Sequence, residues 1–529
     1  MIPGLLRSIW LATLCVVACL EALPTQAATY YISPIGSDTN PGTSVKPWLT
    51  FSYALDPSRT LCGDTLVLKN GTYGDETSTG KISLIGRMCT PGNELIIKAE
   101  NERQAKIFDN GTGIAIQLKN SAYITLDGLY ARSQDNLGGS VGKLFHIETS
   151  QHITVRRSIA VNPNRYNNAH TFTAYRSQHV LFEMNESYIF GRHCVSAGES
   201  SNVTVRLQYC NPRGGKIAGG FSAGGMPIGS GDAVFSMYPC RDCILENSIA
   251  DGTESPMFLN EQNATFASNT LMSGAQVLGS ICYKCGAGNG IYPNGRKIAA
   301  LSHSPQDLLI RDVAIVNYTS PSSAIKCQDC VNATLDHITV LADPTMPGVT
   351  GIQALDSAYG GSASENSIFI TNVLVAGVRG RGVSLEGHAT WSGDGVWSHG
   401  NGASIFPPLP SNWKNTSTTA HGMGTCKVWI PDGAAVKGAG TGGSDIGANI
   451  LYRYVNGVLT STPLWNPVTG EFPYGAPDLD RTNRVAGRSL FDIHIRLNVN
   501  TGGCFFPKSY GNSDSDRKSP IAPASLTAS

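Results

Sequence analysis

Ser121-Ala122-Tyr123-Ile124-Thr125-Leu126-Asp127 returns as Ser150-Gln151-His152-Ile153-Thr154-Val155-Arg156. It returns again as Ser177-Gln178-His179-Val180-Leu181-Phe182-Glu183 and as Ser200-Ser201-Asn202-Val203-Thr204-Val205-Arg206. Weaker copies stand at 241–247, 262–268, 306–312, 331–337 and 366–372. In each, a polar turn feeds a short strand whose apolar and polar side chains alternate. Such a phrase, recurring every few tens of residues, marks a solenoid, whose coils stack because no single coil can bury its own apolar face. The first inward residues are read as Ile124, Ile153, Val180, Val203, Cys243, Ala264, Leu308, Ala333 and Ile368. The interval from Ala264 to Leu308 reads as two coils, and the Gly-rich 213–232 as a loop leaving the stack. Helical periodicity is nearly absent. The turns carry Asn, Asp, Ser and Gly, which tolerate left-handed backbone or bond to it. The fold class is therefore all-β, a single parallel β-helix.

Lys and Arg number 39, as do Asp and Glu, so the chain has no net charge to draw it to nucleic acid. Residues 1–27 read as an export signal: Arg7, an apolar stretch from Ile9 to Leu20, and a small-residue cleavage site at Thr25-Gln26-Ala27. A rival reading takes Val16-Val17-Ala18-Cys19 as a lipobox, with a lipid on Cys19. No later stretch approaches the roughly 18 apolar residues of a membrane span. The expected location is thus secreted or periplasmic, and the expected state a monomer.

Twelve cysteines remain after the signal. An even number in an exported chain favours disulfides. Proximity pairs Cys62 with Cys89, Cys194 with Cys210, and Cys426 with Cys504. Three Cys-x-x-Cys pairs are left, at 240/243, 282/285 and 327/330. Either they close three tight disulfides, or the first two supply four thiolates to a structural zinc.

Ahead of the clean repeats, Tyr30-Tyr31-Ile32-Ser33-Pro34-Ile35-Gly36-Ser37-Asp38 leads through Pro47-Trp48-Leu49-Thr50 to Gly63-Asp64-Thr65-Leu66-Val67-Leu68 and Gly71-Thr72-Tyr73. With the repeats, this resembles the secreted right-handed parallel β-helix proteins of the pectate-lyase-like superfamily, over roughly residues 28–400. The resemblance implies a right-handed solenoid. It leaves the reaction open, since that superfamily holds lyases, polygalacturonases, epimerases, tailspikes and non-enzymatic surface proteins. The expected division is an N-terminal cap and first coils over 28–110, the β-helix over 111–400, and a linker over 401–420. A β-containing cap follows at 421–507, holding a hairpin around Asn456-Gly457, and then a disordered tail at 508–529.

Aligning the strand before each repeated turn gives an outward column of Gln117, His146, Thr173, Ser196 and Lys326, a polar ladder along which a polysaccharide could lie. Eliminative cleavage of a uronic-acid polymer needs a base for the proton α to the carboxylate and positive charge for the enolate-like state. Ile325-Lys326-Cys327-Gln328-Asp329 looks like the strand carrying that base in some alginate and pectate lyases. Arg296 with Lys297, and Arg379 with Arg381, are expected on the coils to either side to neutralise carboxylates. A second cluster is Arg192 and His193 with Glu199. Calcium is the usual partner of pectate lyases, but Asp307, Asp312 and Asp394 are only isolated candidates and no metal residue is assigned. Gly393-Asp394-Gly395 and His399-Gly400-Asn401-Gly402 echo polygalacturonase segments without the paired acids that hydrolysis requires. Asp343-Pro344 continues with Thr345, unlike the Asp-Pro-His segment of alginate epimerases. Lyase action on an anionic polysaccharide is the leading expectation. Glycan binding without catalysis, a purely structural role and glycoside hydrolysis are the alternatives.

Overall fold

The computed structural model describes residues 27–74, 80–109, 114–133, 143–161, 170–188, 190, 192–211, 234–252, 257–261, 273–285, 289–294, 306–355, 367–385, 390–406, 419–473 and 490–511. Strands stack in parallel along three faces. The first face holds Ile114–Lys119, Lys143–Glu148, His170–Tyr175 and their successors through Ser323–Gln328 to Arg381–Leu385. The second holds Ala122–Asp127, Gln151–Arg156 and Gln178–Glu183, the strands of the repeated phrase. The third holds Tyr130–Ser133, Ile159–Val161, Glu186–Tyr188 and Tyr209–Asn211. Later coils run the second and third faces as one strand, as in Leu309–Tyr318 and Ala333–Ala342. Among the described residues no helix is long and apolar enough to cross a membrane.

The repeated serine has a structural task that spacing alone does not reveal. Ser121, Ser150, Ser177 and Ser200 sit buried at the turn from the first face to the second. The Oγ of Ser150 accepts the Ser121 N–H at 3.1 Å, that of Ser177 accepts the Ser150 N–H at 3.1 Å, and that of Ser200 accepts the Ser177 N–H at 3.1 Å. Each hydroxyl also donates to the carbonyl two residues back, at 2.8 to 2.9 Å. One side chain per coil thereby satisfies backbone groups that a tight buried turn would otherwise strand. Left-handed backbone does fall at these turns, but on bulkier residues than expected: Thr149, Arg176, Tyr123, His152 and His179 all have φ near +50°. The rings of Tyr123, His152 and His179 stack at 4.4 and 4.6 Å, so contacts between coils offset the local strain.

Register corrects one assignment. Val203 continues to Cys243 as expected, but Ile244 then pairs with Gln276 and Gln276 with Leu309. Ala275 therefore occupies the rung given to Ala264, and two similar intervals replace one short and one double coil. Ala264 itself, and the 213–232 loop, lie outside the described residues.

All three proximity pairs are disulfides, Cys62–Cys89, Cys194–Cys210 and Cys426–Cys504. So are Cys240–Cys243, Cys282–Cys285 and Cys327–Cys330. The zinc reading is thereby overturned, because no thiolate is left at these positions to bind metal. At the N-terminal end Trp48 pairs with Ile32, stacks on Tyr30 at 4.7 Å and closes the first coil with Phe51 and Ala54.

The C-terminal segment contains the expected hairpin, Tyr452–Val455 against Val458–Pro463. Its packing follows from the third face, whose outward column runs Tyr130, Ile159, Glu186, Tyr209, Ile249, Ile281, Ala314, Thr339, Leu374 and Trp397. A column this apolar on an outward face needs cover. Trp429, Ile450, Leu464, Trp465, Ile493 and Leu497 pack against its middle coils, and Met423, Ile430 and Val436 against Leu374 and Trp397. The segment thus lies along a flank of the solenoid. Turn side chains hold it there. Asn247 accepts the Tyr454 N–H at 2.9 Å, Glu246 takes the N–H groups of Asn456 and Gly457, and Thr339 takes that of Ala448 at 2.8 Å.

Candidate functional site

The third face is covered by the C-terminal segment, and the column expected from the sequence lies on the first. The outward column of the first face runs Ser83, Gln117, His146, Thr173, Ser196 and Ser236, and continues with Tyr292, Lys326, Gln353 and Ser384. Gln117, His146, Thr173, Ser196 and Lys326 therefore do share one column. Tyr292 and Gln353 were missed because longer insertions separate their strands from the repeated phrase, whereas Ser236 and Ser384 precede Cys243 and Trp391 at the same spacing as Ser196 precedes Val203 and were legible from it. The column is not the solvated ladder expected of it. His146, Thr173, Ser196, Ser236 and Ser384 are all buried, while Gln117, Tyr292, Lys326 and Gln353 are half-buried.

Lys326 stands between Tyr292 and Gln353 on neighbouring coils. Its ammonium lies 5.0 Å from the centre of the Tyr292 ring. The Tyr292 hydroxyl donates to Gln328 Oε1 at 2.8 Å, and Gln353 Oε1 accepts from the Ser323 hydroxyl at 2.8 Å. Burial pulls the Lys326 ammonium below the ordinary lysine range, and among the described residues no carboxylate pairs with it. Desolvation disfavours the charged ammonium relative to the neutral amine. Arg381 reaches Ser384 Oγ at 3.2 Å, two coils from Lys326. The coil of Gln353 intervenes, so Arg381 does not flank Lys326 directly. Arg379 is exposed on the turn before that strand, and Arg296 with Lys297 lie outside the described residues.

Comparison with solved structures finds similarities at low identity. A GH87 alpha-1,3-glucanase catalytic unit from Streptomyces thermodiastaticus is similar at 12% identity and TM-score 0.46, over 67% of this chain and 64% of that one. The complex of XylC with xylose is similar at 8% identity and TM-score 0.47, over 74% of this chain and 86% of that one. An alginate lyase from Paenibacillus is similar at 12% identity and TM-score 0.33, over 74% and 99%. No family model matches the sequence, and no curated protein matches it. The stacking of parallel strands on three faces decides the architecture. The chain folds as a parallel β-helix.

At the other end of the β-helix's first face, Lys143, His170 and His193 stand in register three residues before the His146 column. The His170 and His193 rings meet edge-on at 4.8 Å, and His193 meets Tyr238 at 5.8 Å. Burial drives His170 well below the ordinary histidine range, with His193, Arg192 and Lys143 adding to it. Burial likewise pushes His146 down to about 4, with Lys143 adding and Glu148 opposing. His146 Nε2 lies 3.6 Å from a Glu148 carboxylate oxygen, whose other oxygen takes Lys119 Nζ at 3.1 Å. Glu199 faces elsewhere than the expected cluster with Arg192 and His193. Its carboxylate receives the Tyr175 hydroxyl at 2.9 Å and Arg176 Nε at 3.0 Å, at the turn.

The isolated acids do not converge. Asp312 is buried beneath the C-terminal segment, accepting the Tyr454 hydroxyl at 2.5 Å, and burial raises its carboxyl. Asp307 accepts from Asn332 at 3.3 Å on another turn, and Asp394 takes the Gly395 N–H at 2.7 Å. Among the described residues no group of three or more His, Cys, Asp or Glu could hold a metal ion.

Proposed function

We propose that this β-helix is an exported protein acting on polysaccharide along its first face, and that it cleaves a uronic-acid polymer by β-elimination with Lys326 as the base. The observation that carries the reading is Lys326 itself: outward on the ladder, unpaired with any carboxylate among the described residues, and lowered by burial. Neutral Lys326 Nζ would take the proton from the carbon α to the carboxylate. The electron pair left behind forms the new carbon–carbon double bond, the bond to the glycosidic oxygen breaks, and that oxygen leaves with a proton returned by the Lys326 ammonium or given by water. Charge builds on the substrate carboxylate as the proton departs. Arg381, two coils along, is the cation assigned to substrate carboxylates; Arg296, expected for the same task, lies outside the described residues. Six disulfides suit an oxidising destination. The superfamily resemblance and neighbours that include an alginate lyase and a pectate lyase agree with a polysaccharide substrate.

The test is incubation with alginate, pectate and glucuronan-type polymers, with and without calcium, following ultraviolet absorbance of the unsaturated product. Absorbance that Lys326→Ala abolishes, with unchanged circular dichroism, supports the assignment. Absorbance indifferent to the substitution removes Lys326 as base. Silence with every polymer refutes elimination.

A further inference from the structure

Residues 441–454 of the C-terminal segment run as a strap over the turns that join the second face to the third. Asp312, His337 and Asn372 stand in register on three successive coils of those turns, each with left-handed backbone. The outer two grip the strap. Asn372 accepts the Thr441 N–H through Oδ1 and the Gly447 N–H through its carbonyl, both at 2.9 Å. Asp312 accepts the Asn449 N–H at 3.2 Å and the Tyr454 hydroxyl at 2.5 Å. His337 occupies the rung between these grips and is 8% exposed, so an imidazole is enclosed at the point where the strap is held.

Two acids and one committed cation surround it. His337 Nδ1 lies 2.7 Å from Asp336 Oδ1, a separation at which a proton must sit between the two atoms. Arg311 Nε binds the other oxygen of Asp336 at 2.8 Å, and Asn372 Nδ2 stands 3.4 Å from the first. For Asp312 the cation that acts is His337, while Asp336 repels it. On the strap, Tyr454 faces Asp312, and Asp445 is taken up by Lys437 at 3.0 Å and Asn449 at 2.8 Å. Asp312 and Asp336 are both buried, and two buried carboxylates on neighbouring coils are costly to hold without a shared cation. A protonated His337 supplies one.

We propose that His337 is a pH-operated latch on the C-terminal strap: protonated, it neutralises Asp312 and Asp336 and fastens the strap to the coils. As pH rises and the proton leaves, the two acids are left to repel and the strap loosens. Burial alone would lower the imidazolium, but the contact with Asp336 and the charge of Asp312 raise it above the ordinary histidine range. A histidine raised by folding contributes stability that is full below its ordinary value and lost as pH climbs through the raised one. The loosening therefore falls above the ordinary histidine range. Asp336 acts at the other end. Burial would raise it, but His337 and Arg311 hold it below the ordinary carboxylate range, so its contribution is lost only in acid. Burial raises Asp312, so its own ionisation also loosens the strap and has to be separated from that of His337 by substitution. Gly447 rests against Thr339 and Leu374, so a loosened strap begins to uncover the apolar column of the third face.

The test is hydrogen exchange of the full chain, read by mass spectrometry on peptides covering 441–454 and corrected for the intrinsic pH dependence of exchange, from about pH 5 to about pH 9. Protection of the strap should fall by about tenfold or more along a limb above the ordinary histidine range, the weight of a hydrogen-bonded charge. Peptides covering Ile124 to Arg156 on the early coils should show no such limb. His337→Gln should remove the limb, because glutamine takes up no proton. Asp312→Asn keeps acceptors for Asn449 and Tyr454 but takes away one of the two acids, so the limb should remain and move to lower pH. A purely structural His337 would produce neither the limb nor its movement. Flat protection in the unaltered protein, a limb that survives His337→Gln, or a limb that Asp312→Asn leaves in place overturns the proposal. Where His337→Gln does not fold, the limb of the unaltered protein and its position in Asp312→Asn decide alone.

Discussion

Arg496→Met tests whether charge pairing holds the C-terminal segment to the coils. Arg496 donates to both carboxylate oxygens of Asp251, at 2.7 and 2.6 Å, and Asp251 is 2% exposed on the third face. Methionine keeps much of the packing and leaves that carboxylate without its cation. Stranding one partner of a buried pair costs about 3–5 kcal/mol. Tyr209 and Asn211 still donate to Asp251, so the lower end applies, about 3 kcal/mol. Long repeat arrays unfold in pieces, so a single global transition would blur the effect. Native-state hydrogen exchange at the amides that cross the boundary isolates it: Gly447 to Asn372 at 2.9 Å, Tyr454 to Asn247 at 2.9 Å and Asn456 to Glu246 at 3.1 Å. Their protection should fall by about a hundredfold, while amides of the early coils stay protected. Asp251→Asn added to Arg496→Met should restore most of it, because the amide carries no charge to strand. A loss below about fivefold, or no recovery in the double variant, would refute the reasoning.

At Lys326, replacement by alanine should cut turnover by about a hundred- to ten-thousand-fold, the usual contribution of a positioned base. If Lys326 is the base, the rate of the unaltered protein should climb with pH as the amine loses its proton, with the limb set below the ordinary lysine range because burial disfavours the ammonium. A limb at or above that range in a pH–rate profile would contradict the assignment. Ser150→Ala removes the acceptor for the buried Ser121 N–H, and should cost about 1–3 kcal/mol in urea denaturation. Opening Cys426–Cys504, which are 78 residues apart, should cost about 4.5 kcal/mol on loop entropy, read as a lowered Tm in Cys426→Ser/Cys504→Ser. Chelator dialysis should leave the Tm of the unaltered protein unchanged, since the Cys-x-x-Cys pairs are disulfides.

The repeated phrase determined the stack, because alternation along a strand and a polar turn at its head are local properties that each coil carries for itself. That is why Ile124, Ile153, Val180 and Val203 fall on one rung column, and why Gln117, His146, Thr173, Ser196 and Lys326 fall on another. Register across unequal insertions was not legible. Parallel strands choose partners by the inward side chains of the neighbouring coil, and nothing local separates Ala264 from Ala275. Tertiary structure alone decided which face is covered. The third-face strands are only three or four residues long in the early coils, too short to announce an apolar outward column. Once stacked, they sum to a surface that water disfavours, and the C-terminal segment lies on it. The same holds for the first face, where outward does not mean wet: the polarity of His146, Thr173 and Ser236 is written in the chain, but their burial is legible only in the folded structure.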